Sequence, residues 1–330
     1  MTSRYAQVHE SPAGPGDARP TASQIIHKEG LEGKWHGKVI LITGCSSGLG
    51  VETARTLAAT GANLYLTARD LDKAKTTLGD LAQSDRVHLL QLDLNSLASV
   101  RAFVADFTSK TSNLNILIAN AGVMMTPVGR TADGFEPQFG TNHLAYFLLF
   151  QLLKPTLLAS STAEFHSRVV ILSSIAHRSA EVNFDNLNLD GDYNPWIAYA
   201  QSKTANVWTA NEIERRYGTQ GPHAWSVQPG PTGTGLYRYM SESEVAASQS
   251  DPTLAKIFKT VEQGAATTVW AATANALEGQ GGKYLEDCQI AKPWNSIAGP
   301  WAPGYGPWTY DEEKEAKLWA KSLELVGVNE

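Results

Sequence analysis

The sequence predicts a single α/β domain in which helices cover both faces of a doubly wound parallel sheet. Short apolar runs, at 38–42, 63–67, 86–92, 115–119 and 168–172, alternate with segments of helical spacing. This alternation is typical of repeated strand-helix-strand units. The chain has 330 residues, of which 42% are hydrophobic and 18% charged, so it can bury one large core.

A glycine-rich turn follows the first predicted strand and precedes a segment of helical spacing at 51–59. In this setting glycines allow a tight turn, close approach of the backbone to a pyrophosphate, and close packing of helix on strand. The free N–H groups at the start of the helix favour an anion. We therefore predict dinucleotide binding by this turn, which comprises Thr43, Gly44, Cys45, Ser46, Ser47, Gly48, Leu49 and Gly50.

The residues after the second predicted strand bear on which dinucleotide binds. Arg69 and Asp70 follow that strand, about 20 residues beyond the glycines. An acidic side chain there holds the ribose hydroxyls of NAD, whereas an arginine pairs with the 2′-phosphate of NADP. Arg69 favours NADP(H). Asp70 keeps NAD(H) as the alternative, and Lys73 either adds a positive charge or faces water.

Two further strands end in polar or small residues. The strand at 86–92 ends at Asp93, and the strand at 115–119 ends at the run Asn120, Ala121, Gly122. In a parallel sheet of this type, ligands bind beyond the carboxyl ends of the strands. We expect these residues to lie beside the glycine-rich turn.

Tyr199 and Lys203 lie four residues apart in a segment of helical spacing. Residues at this spacing share one face of a helix, so the phenol and the ammonium can reach the same space. A phenol ordinarily titrates near pH ~10, and a fixed cation beside it favours the phenolate. The pair is a candidate acid/base, although such pairs also occur by chance on many helices.

Two other polar positions accompany this pair. Ser174 follows the central strand at 168–172, and Asn142 lies in an otherwise apolar helix predicted at 134–158. A buried asparagine requires hydrogen-bond partners.

The carboxyl-terminal third of the chain is rich in glycine, proline and aromatic residues. After a strand at 223–227, the run 228–235 precedes a mixed segment at 236–262, here called the variable loop, in which we expect short helices that close over the site. A final short strand is predicted at 282–285 and a helix at 311–326. The aromatic residues of the tail either wall a pocket or hold the tail to the body: Trp294, Trp301, Tyr305, Trp308 and Tyr310.

These features divide the chain into three parts. Residues 1–35 are polar and turn-rich and are expected to form an extension that is flexible at least at its start. Residues 36–288 form the α/β domain. Residues 289–330 form an aromatic, proline- and glycine-rich tail with a terminal helix.

Composition excludes several classes of function. The formal charge is −6 and the pI about 5.8, without a basic run, which argues against nucleic acid or an anionic membrane as the main partner. Cys45 and Cys288 give no disulfide framework or metal spacing. The acidic run at 185–192 lacks the terminal glutamate of a calcium loop, so we expect no metal. We find no secretory signal and no apolar run of membrane-spanning length, and we expect a soluble, cytoplasmic protein.

In this arrangement of motifs the chain resembles the short-chain dehydrogenase/reductase family, whose fold is of the Rossmann type. The resemblance runs from about 38 to 285 and depends on the glycine-rich turn, the run Asn120 to Gly122, Ser174, and the pair Tyr199 and Lys203. The runs 141–144, 173–177 and 281–288 are most similar to the retinol-dehydrogenase and WW-domain-oxidoreductase-like branch. Gln228 stands where relatives often carry His or Asn.

The resemblance implies a role for each of these residues. Tyr199 would transfer the proton, Lys203 would lower the pKa of Tyr199 and hold the nicotinamide ribose, and Ser174 would bind the substrate oxygen. Asn142 would position a water that relays protons through Lys203. The remaining residues would contact the cofactor, at the pyrophosphate (Thr43, Gly44, Ser46, Ser47, Gly48, Leu49, Gly50), at the adenine and its ribose (Asp93, Asn120) or at the nicotinamide (Pro229, Gly230, Thr232, Thr234). Further expected cofactor contacts are Arg69, Leu94, Ala121 and Gly122.

The expected activity is NADP(H)-dependent interconversion of a carbonyl and an alcohol on a fairly apolar small molecule, either in secondary metabolism or in broad detoxification. Two alternatives remain: reduction of an imine or iminium coupled to cyclisation, and a regulatory protein that binds NADP(H) without turnover. Helices near 134–158 and 196–217 pair subunits in many relatives, and the tail could cover that surface. A homodimer and a monomer are both compatible with the sequence.

Overall fold

Eight strands form one sheet in the computed structural model, which describes residues 4–330. They are β1 (Val39–Thr43), β2 (Asn63–Ala68), β3 (Val87–Gln91), β4 (Ile116–Ala119), β5 (Arg168–Leu172), β6 (His223–Gln228), β7 (Lys283–Glu286) and β8 (Gln289–Ile290). Their order across the sheet is β3-β2-β1-β4-β5-β6-β7-β8. Neighbouring strands from β3 to β7 are parallel, and β8 is antiparallel to β7.

The strand order confirms the predicted doubly wound sheet. The chain moves outward from β1 through β2 to β3, and then returns to place β4 on the other side of β1. Ligands bind where the direction reverses in sheets of this type. All residues of β1, β4, β5 and β6 are buried, as expected when helices cover both faces.

Helices occupy most of the connections. They are α1 (Ala22–Glu29), α2 (Gly48–Ala58), α3 (Leu71–Leu78), α4 (Leu97–Lys110), α5 (Pro137–Phe139), α6 (Ala145–Ser160), α7 (Pro195–Tyr217), α8 (Glu242–Ser250), α9 (Pro252–Ile257), α10 (Val261–Gly264), α11 (Ala266–Thr273) and α12 (Glu312–Val326). None of these helices, in the part of the chain that the structure describes, is both long enough and apolar enough to cross a membrane.

Two apolar cores lie on the two faces of the sheet. On one face α1, α2 and α11 pack together over β1 and β5. On the other face α4 packs on α6, and α7 packs on α12. The largest buried side chains are aromatic, with Trp225 in the first core and Phe107, Phe147 and Trp208 in the second. The two cores fix the carboxyl edge of the sheet, where the candidate site lies.

The amino-terminal segment packs against the body from Tyr5, which is already buried. Its first three residues, where we expected flexibility, lie outside the described part of the chain, so that expectation stays a prediction. Helix α1 begins with a reciprocal cap between Thr21 and Gln24. Its buried residues Ile25 and Ile26 belong to the same core as α11. This buried helix was not predicted from the sequence because the segment is polar overall. A few apolar residues at helical spacing are enough to form a buried face on such a helix.

The carboxyl-terminal tail wraps back over the body and ends in α12. The Trp319 ring packs edge-on against Phe147 at a centroid distance of 4.9 Å. His143 Nε2 lies 2.9 Å from the Ser322 hydroxyl, and Arg215 on α7 pairs with Glu315. The tail helix therefore covers the face that α6 and α7 would otherwise present to solvent.

Candidate active site

A large cavity, with a volume of about 570 Å³, opens at the carboxyl edge of the sheet. One half is walled by the glycine-rich turn and the ends of β2, β3 and β4. The other half is walled by the variable loop and one side chain of the tail. Most of the predicted site residues line it: Gly44, Ser46, Ser47, Gly48, Leu49, Gly50, Arg69, Asp93, Leu94, Asn120, Ala121, Gly122, Ser174, Tyr199, Lys203, Pro229, Gly230 and Thr234.

Glycine is required at two points of the turn. Gly44 has a φ of +77°, and a Cβ there would lie 2.6 Å from the Ala121 Cβ. A Cβ on Gly50 would lie 2.4 Å from the Gly44 carbonyl oxygen. Helix α2 starts at this point, and the side chain of its N-cap residue Ser47 makes no capping hydrogen bond. The N–H groups at the start of α2 thus face a cavity in which an anion can accept their hydrogen bonds.

Thr43 does not contact the cavity as the sequence led us to expect. It is fully buried, and its hydroxyl accepts hydrogen bonds from the N–H groups of Asn120, at 3.0 Å, and Ala121, at 3.1 Å. Asn120 Nδ2 in turn donates to the Thr43 carbonyl at 2.8 Å. Thr43 therefore joins the ends of β1 and β4 and places Asn120 at the cavity, rather than binding a ligand itself.

The residues after β2 take separate tasks. Asp70 Oδ1 accepts a hydrogen bond from the Lys73 N–H at 2.9 Å and so caps α3. The Arg69 side chain is exposed and lines the cavity. Among residues 4–330 its guanidinium has no ion-pair partner, and neither Asp70 nor Lys73 lines the cavity. The end of β2 therefore offers a cation to a ligand and no carboxylate.

The candidate acid/base group lies on the floor of the cavity. Helix α7 carries both Tyr199 and Lys203, and Ser174, just after β5, lines the same cavity as these two residues. Lys203 Nζ donates to the Leu172 carbonyl at 3.0 Å and lies 5.5 Å from the centre of the Tyr199 ring. The Ser174 oxygen also accepts from the Ala176 N–H at 3.2 Å, which fixes its position.

The charges of this group differ from the sequence expectation. Burial raises the pKa of Tyr199, and the polar side chain of Ser174 opposes that rise only in part. Burial also lowers the pKa of Lys203 to about 7. The net shift of the Tyr199 pKa is therefore upward, because desolvation disfavours the charged form of both groups. That Lys203 lowers the pKa of Tyr199 from this raised value stays a prediction.

Asn142 lies behind the cavity wall. It belongs to one turn of π-helix, Gly140–Leu144, which interrupts the single helix that the sequence predicted. Its Oδ1 accepts from the Val123 N–H at 2.9 Å, and its Nδ2 donates to the Val123 carbonyl and to the Ser202 hydroxyl, both at 2.9 Å. A Cβ on Gly122 would lie 3.2 Å from Asn142 Oδ1 and 3.6 Å from Lys203 Nζ. The amide and the ammonium thus converge behind Gly122.

The loop after β6 contributes three of its four predicted residues. Pro229, Gly230 and Thr234 line the cavity. Thr232 does not, because it is buried and its hydroxyl donates to the Gly230 carbonyl at 3.2 Å. Thr232 therefore shapes this loop from inside.

The apolar half of the cavity contains most of the residues that sequence reasoning missed. Val128 and Trp196 stand at its mouth and are exposed, by 70% in the case of Val128. Gln228 is buried and lines the cavity. The apolar lining further includes Met124, Leu236, Met240, Leu254, Phe258 and Trp301. Periodicity places such residues on elements but does not show which of them meet across a cavity.

The tail aromatics perform both of the tasks that the sequence left open. Trp301 lines the cavity, and its Nε1 donates to Asp251 in the variable loop at 2.9 Å. The other tail aromatics hold the tail to the body. The Arg178 guanidinium lies 4.7 Å from the centre of the Trp294 ring, and Trp308 Nε1 donates to the His177 carbonyl at 2.9 Å.

A second cluster of titratable groups lies at the opposite edge of the sheet. His166, His223 and Glu278 have ligand atoms within 4.8 Å of one another. These groups already have protein partners, since Glu278 pairs with Arg168 at 2.8 Å and His223 Nδ1 lies 2.9 Å from Glu214. The positive charge of the Arg168 guanidinium beside Glu278 disfavours binding of a cation, so we assign no metal to this cluster.

Known proteins are similar in sequence to this chain over most of its length. The family described as short chain dehydrogenase matches residues 38–245. The short-chain dehydrogenase/reductase prx1 of Penicillium roqueforti is 46% identical over 99% of this chain and 96% of its own length. The oxidoreductase calI of Penicillium decumbens is 43% identical, with 98% of each chain covered. Mouse retinol dehydrogenase 11 is 37% identical over 88% of this chain and 87% of its own.

Solved structures share the fold. An uncharacterised protein from Mycobacterium paratuberculosis superposes with a TM-score of 0.68 and 31% identity, covering 91% of this chain and 97% of its own. The NADP complex of RhlG from Pseudomonas aeruginosa has a TM-score of 0.62 and 24% identity over 78% of this chain and 96% of its own. At that identity the second likeness concerns the fold alone.

Proposed function

This chain belongs to the short-chain dehydrogenase/reductase family, and from that premise we propose that it is an NADP(H)-dependent oxidoreductase that interconverts a carbonyl and an alcohol. The observation that carries the proposal is that Ser174, Tyr199 and Lys203 line the same cavity, with Lys203 Nζ 5.5 Å from the centre of the Tyr199 ring. Two hydroxyls that line one cavity can bind one substrate oxygen together. Lys203 lies beneath them and the glycine-rich turn beside them.

The residues of the cavity fit a nicotinamide dinucleotide. The start of α2 presents unpaired N–H groups to the diphosphate. A side chain at Gly44 or Gly50 would fill the space between the turn and the end of β4. Asp93 and Asn120 would lie along the adenosine, and Pro229 and Gly230 along the nicotinamide. The bound cofactor supplies the hydride.

The side chains of the protein supply proton transfer and orientation. In the reductive direction the Tyr199 O–H donates its proton to the carbonyl oxygen, and the Ser174 hydroxyl donates a hydrogen bond to the same oxygen as its negative charge develops. Lys203 Nζ would hold the ribose hydroxyls and stabilise the phenolate that remains. Asn142 acts as a positioning residue, because its amide fixes the backbone at Val123 beside this group.

The preference for NADP(H) over NAD(H) is supported by the end of β2. Asp70 is committed to capping α3 at 2.9 Å and does not line the cavity. The exposed Arg69 guanidinium can therefore pair with a 2′-phosphate, and no carboxylate there is available to the ribose hydroxyls.

The substrate class is an apolar small molecule, with a cyclic or aromatic body. The half of the cavity beyond Tyr199 is lined by Met124, Leu236, Phe258 and Trp301. Burying an apolar body there is favourable by about 25 cal/mol per Å² of apolar surface. A cytoplasmic location and a role in secondary metabolism stay predictions from the sequence.

The test is Tyr199→Phe, measured against a panel of ketones with NADPH. Phenylalanine keeps the ring and removes the proton donor, so we expect turnover to fall by about 10²- to 10⁴-fold, while the NADPH dissociation constant changes by less than about threefold. A variant that binds NADPH normally and turns over at the wild-type rate would exclude Tyr199 as the acid/base. NADPH labelled with deuterium on the nicotinamide must transfer its label to the alcohol carbon.

A further inference from the structure

Arg19, in the amino-terminal segment, is buried against the carboxyl-terminal part of the variable loop. It is 3% exposed, and its two terminal nitrogens donate to the carbonyls of Ile257 at 2.7 Å and Phe258 at 2.6 Å. Further bonds reach the carbonyls of Lys256 at 3.3 Å and Gly14 at 3.0 Å. A buried guanidinium that donates to several consecutive carbonyls fixes the path of the backbone.

The position of Arg19 is itself fixed. Its Nε donates to both oxygens of Asp17, at 2.8 and 2.9 Å. Burial alone raises the pKa of Asp17, but the hydrogen bonds from Arg19 and from the Ala13 N–H outweigh it and lower that pKa to about 2. Gln263 Nε2 also donates to the Arg19 carbonyl, at 3.0 Å. Arg19 is thus held by Asp17 and Gln263 while its terminal nitrogens bind the variable loop.

Lys259 follows Phe258 in the chain but reaches the other half of the cavity. Its side chain is 3% exposed, and Nζ donates to the Pro229 carbonyl at 3.0 Å and to Asp287 Oδ1 at 2.7 Å. A Cβ on Gly230 would lie 2.9 Å from Lys259 Nζ. The ammonium therefore holds the loop after β6, the one that lines the nicotinamide end of the cavity.

Phe258 and Lys259 are adjacent in the chain but belong to two different sets of contacts. Phe258 lines the apolar half of the cavity, and Pro229 and Gly230 line the cofactor half. We propose that Arg19 is a positioning residue for the substrate wall at Phe258, and that Lys259 is a positioning residue for the nicotinamide loop at Pro229 and Gly230. This inference rests on the proposed function in assigning substrate and cofactor to the two halves.

The first measurement needs no activity. Hydrogen exchange by mass spectrometry is compared for the full-length wild type, Arg19→Gln and Lys259→Met. We expect Arg19→Gln to speed exchange about 10-fold in peptides covering 254–258, with little change at 228–235. We expect Lys259→Met to speed exchange in peptides covering 228–235, with little change at 254–258. If a variant changed the exchange rate equally in both segments, or in neither, the proposal that Arg19 and Lys259 position different segments would be wrong.

The second measurement is kinetic and uses the same variants. We expect Arg19→Gln to raise KM for a bulky cyclic ketone such as 1-decalone by about 10-fold relative to cyclohexanone, a difference of ~1.4 kcal/mol, with the NADPH dissociation constant unchanged within about twofold. Lys259→Met should weaken NADPH binding by about 10-fold. A weaker NADPH complex in Arg19→Gln, with no change in KM, would contradict the proposal.

Controls separate positioning from general loss of structure. Arg4→Gln removes an arginine from the same segment, and Lys256→Met removes an exposed lysine from the same loop; both should leave all three readouts unchanged. If Arg19→Gln does not fold because Asp17 is left unpaired, Arg19→Lys keeps the charge and should show the same pattern at smaller size. Should the wild type reduce no ketone at all, the proposed function fails, while exchange and NADPH binding still decide this inference.

Discussion

The two halves of the cavity are built in different ways. The cofactor half is made from turns at strand ends, with positive-φ glycines, and its supporting hydrogen bonds join the ends of neighbouring strands, as between Thr43 and Asn120. The substrate half is made from segments that are distant in the chain. Arg19 bonds to a carbonyl 238 residues away, and Trp301 reaches into the cavity from the tail.

This difference has consequences for variation. The proposed cofactor half depends on backbone conformations that few residues can adopt, so we expect substitutions there to act on binding of one fixed ligand. The substrate half depends on side-chain contacts between segments that can change independently. We expect substitutions on the substrate side to change selectivity while leaving cofactor binding intact.

Lys203 lies where the two halves meet, so its loss should have the largest effect. We expect Lys203→Met to lower turnover by about 10²-fold or more. Because burial lowers the pKa of Lys203 to about 7, the ammonium is lost as the pH rises through neutrality. NADPH affinity of the wild type, measured by fluorescence titration from pH 6 to 8.5, should fall with rising pH. A Lys203→Met protein with the same pH dependence would show that another group is responsible.

Arg69 tests the cofactor half alone. Arg69→Ala removes the cation at the end of β2, and we expect kcat/KM for NADPH to fall by about 10- to 100-fold, with little change for NADH. Lys73→Ala is the matched control, because Lys73 is exposed and does not line the cavity. Equal losses with both cofactors would mean that Arg69 does not select the 2′-phosphate.

Trp301 tests the substrate half alone. We expect Trp301→Ala to raise KM for bulky apolar ketones by about 3- to 10-fold, since part of the apolar wall is lost, while NADPH binding stays unchanged. Ile297→Ala serves as the control, because Ile297 is 94% exposed in the same tail. Weaker NADPH binding in Trp301→Ala would show that the two halves are not independent.

The smallest effect concerns stability. Glu286 is buried at the end of β7, where its Oε2 accepts from the Gly304 N–H at 2.7 Å and burial raises its pKa to about 8, aided by the charge of Asp287. Its raised pKa favours the folded state below about pH 4.5, and this contribution is lost as the pH rises toward 8. The glutamine in Glu286→Gln stays neutral at every pH. When the pH is raised from 5.5 to 8, we therefore expect the thermal midpoint of the wild type to fall further than that of the variant, by about 2 °C or more. Parallel curves would disprove the assignment.

Sequence reasoning predicted most of the residues that line the proposed cofactor half, because local patterns determine them. The turn from Gly44 to Gly50 lies between a strand and a helix, and each of these elements is readable by itself. The task of Asp70 was left open, because whether a side chain caps a helix or faces a ligand depends on its rotamer. Thr43 and Thr232 were placed at the ligand, whereas the structure turns both hydroxyls toward the backbone.

The substrate half could not be predicted in the same way. Nothing in the run around Arg19 indicates that its partners are carbonyls at 256–258, since backbone carbonyls carry no sequence signal. The π-turn at Asn142 was read as ordinary helix, because one extra residue in a turn barely alters apolar spacing. The sequence identified Trp301 only as one of several aromatic residues in the tail, which could either line a pocket or hold the tail to the body.

Helix α12 has a consequence for assembly. It lies across α6 and α7, with Trp319 packed on Phe147 and Glu315 paired with Arg215. Two copies of this chain cannot dock through that face unless the terminal helix detaches and exposes a buried tryptophan to water. A chain cut before residue 312 should therefore elute from a size-exclusion column as larger species than the intact protein at the same concentration.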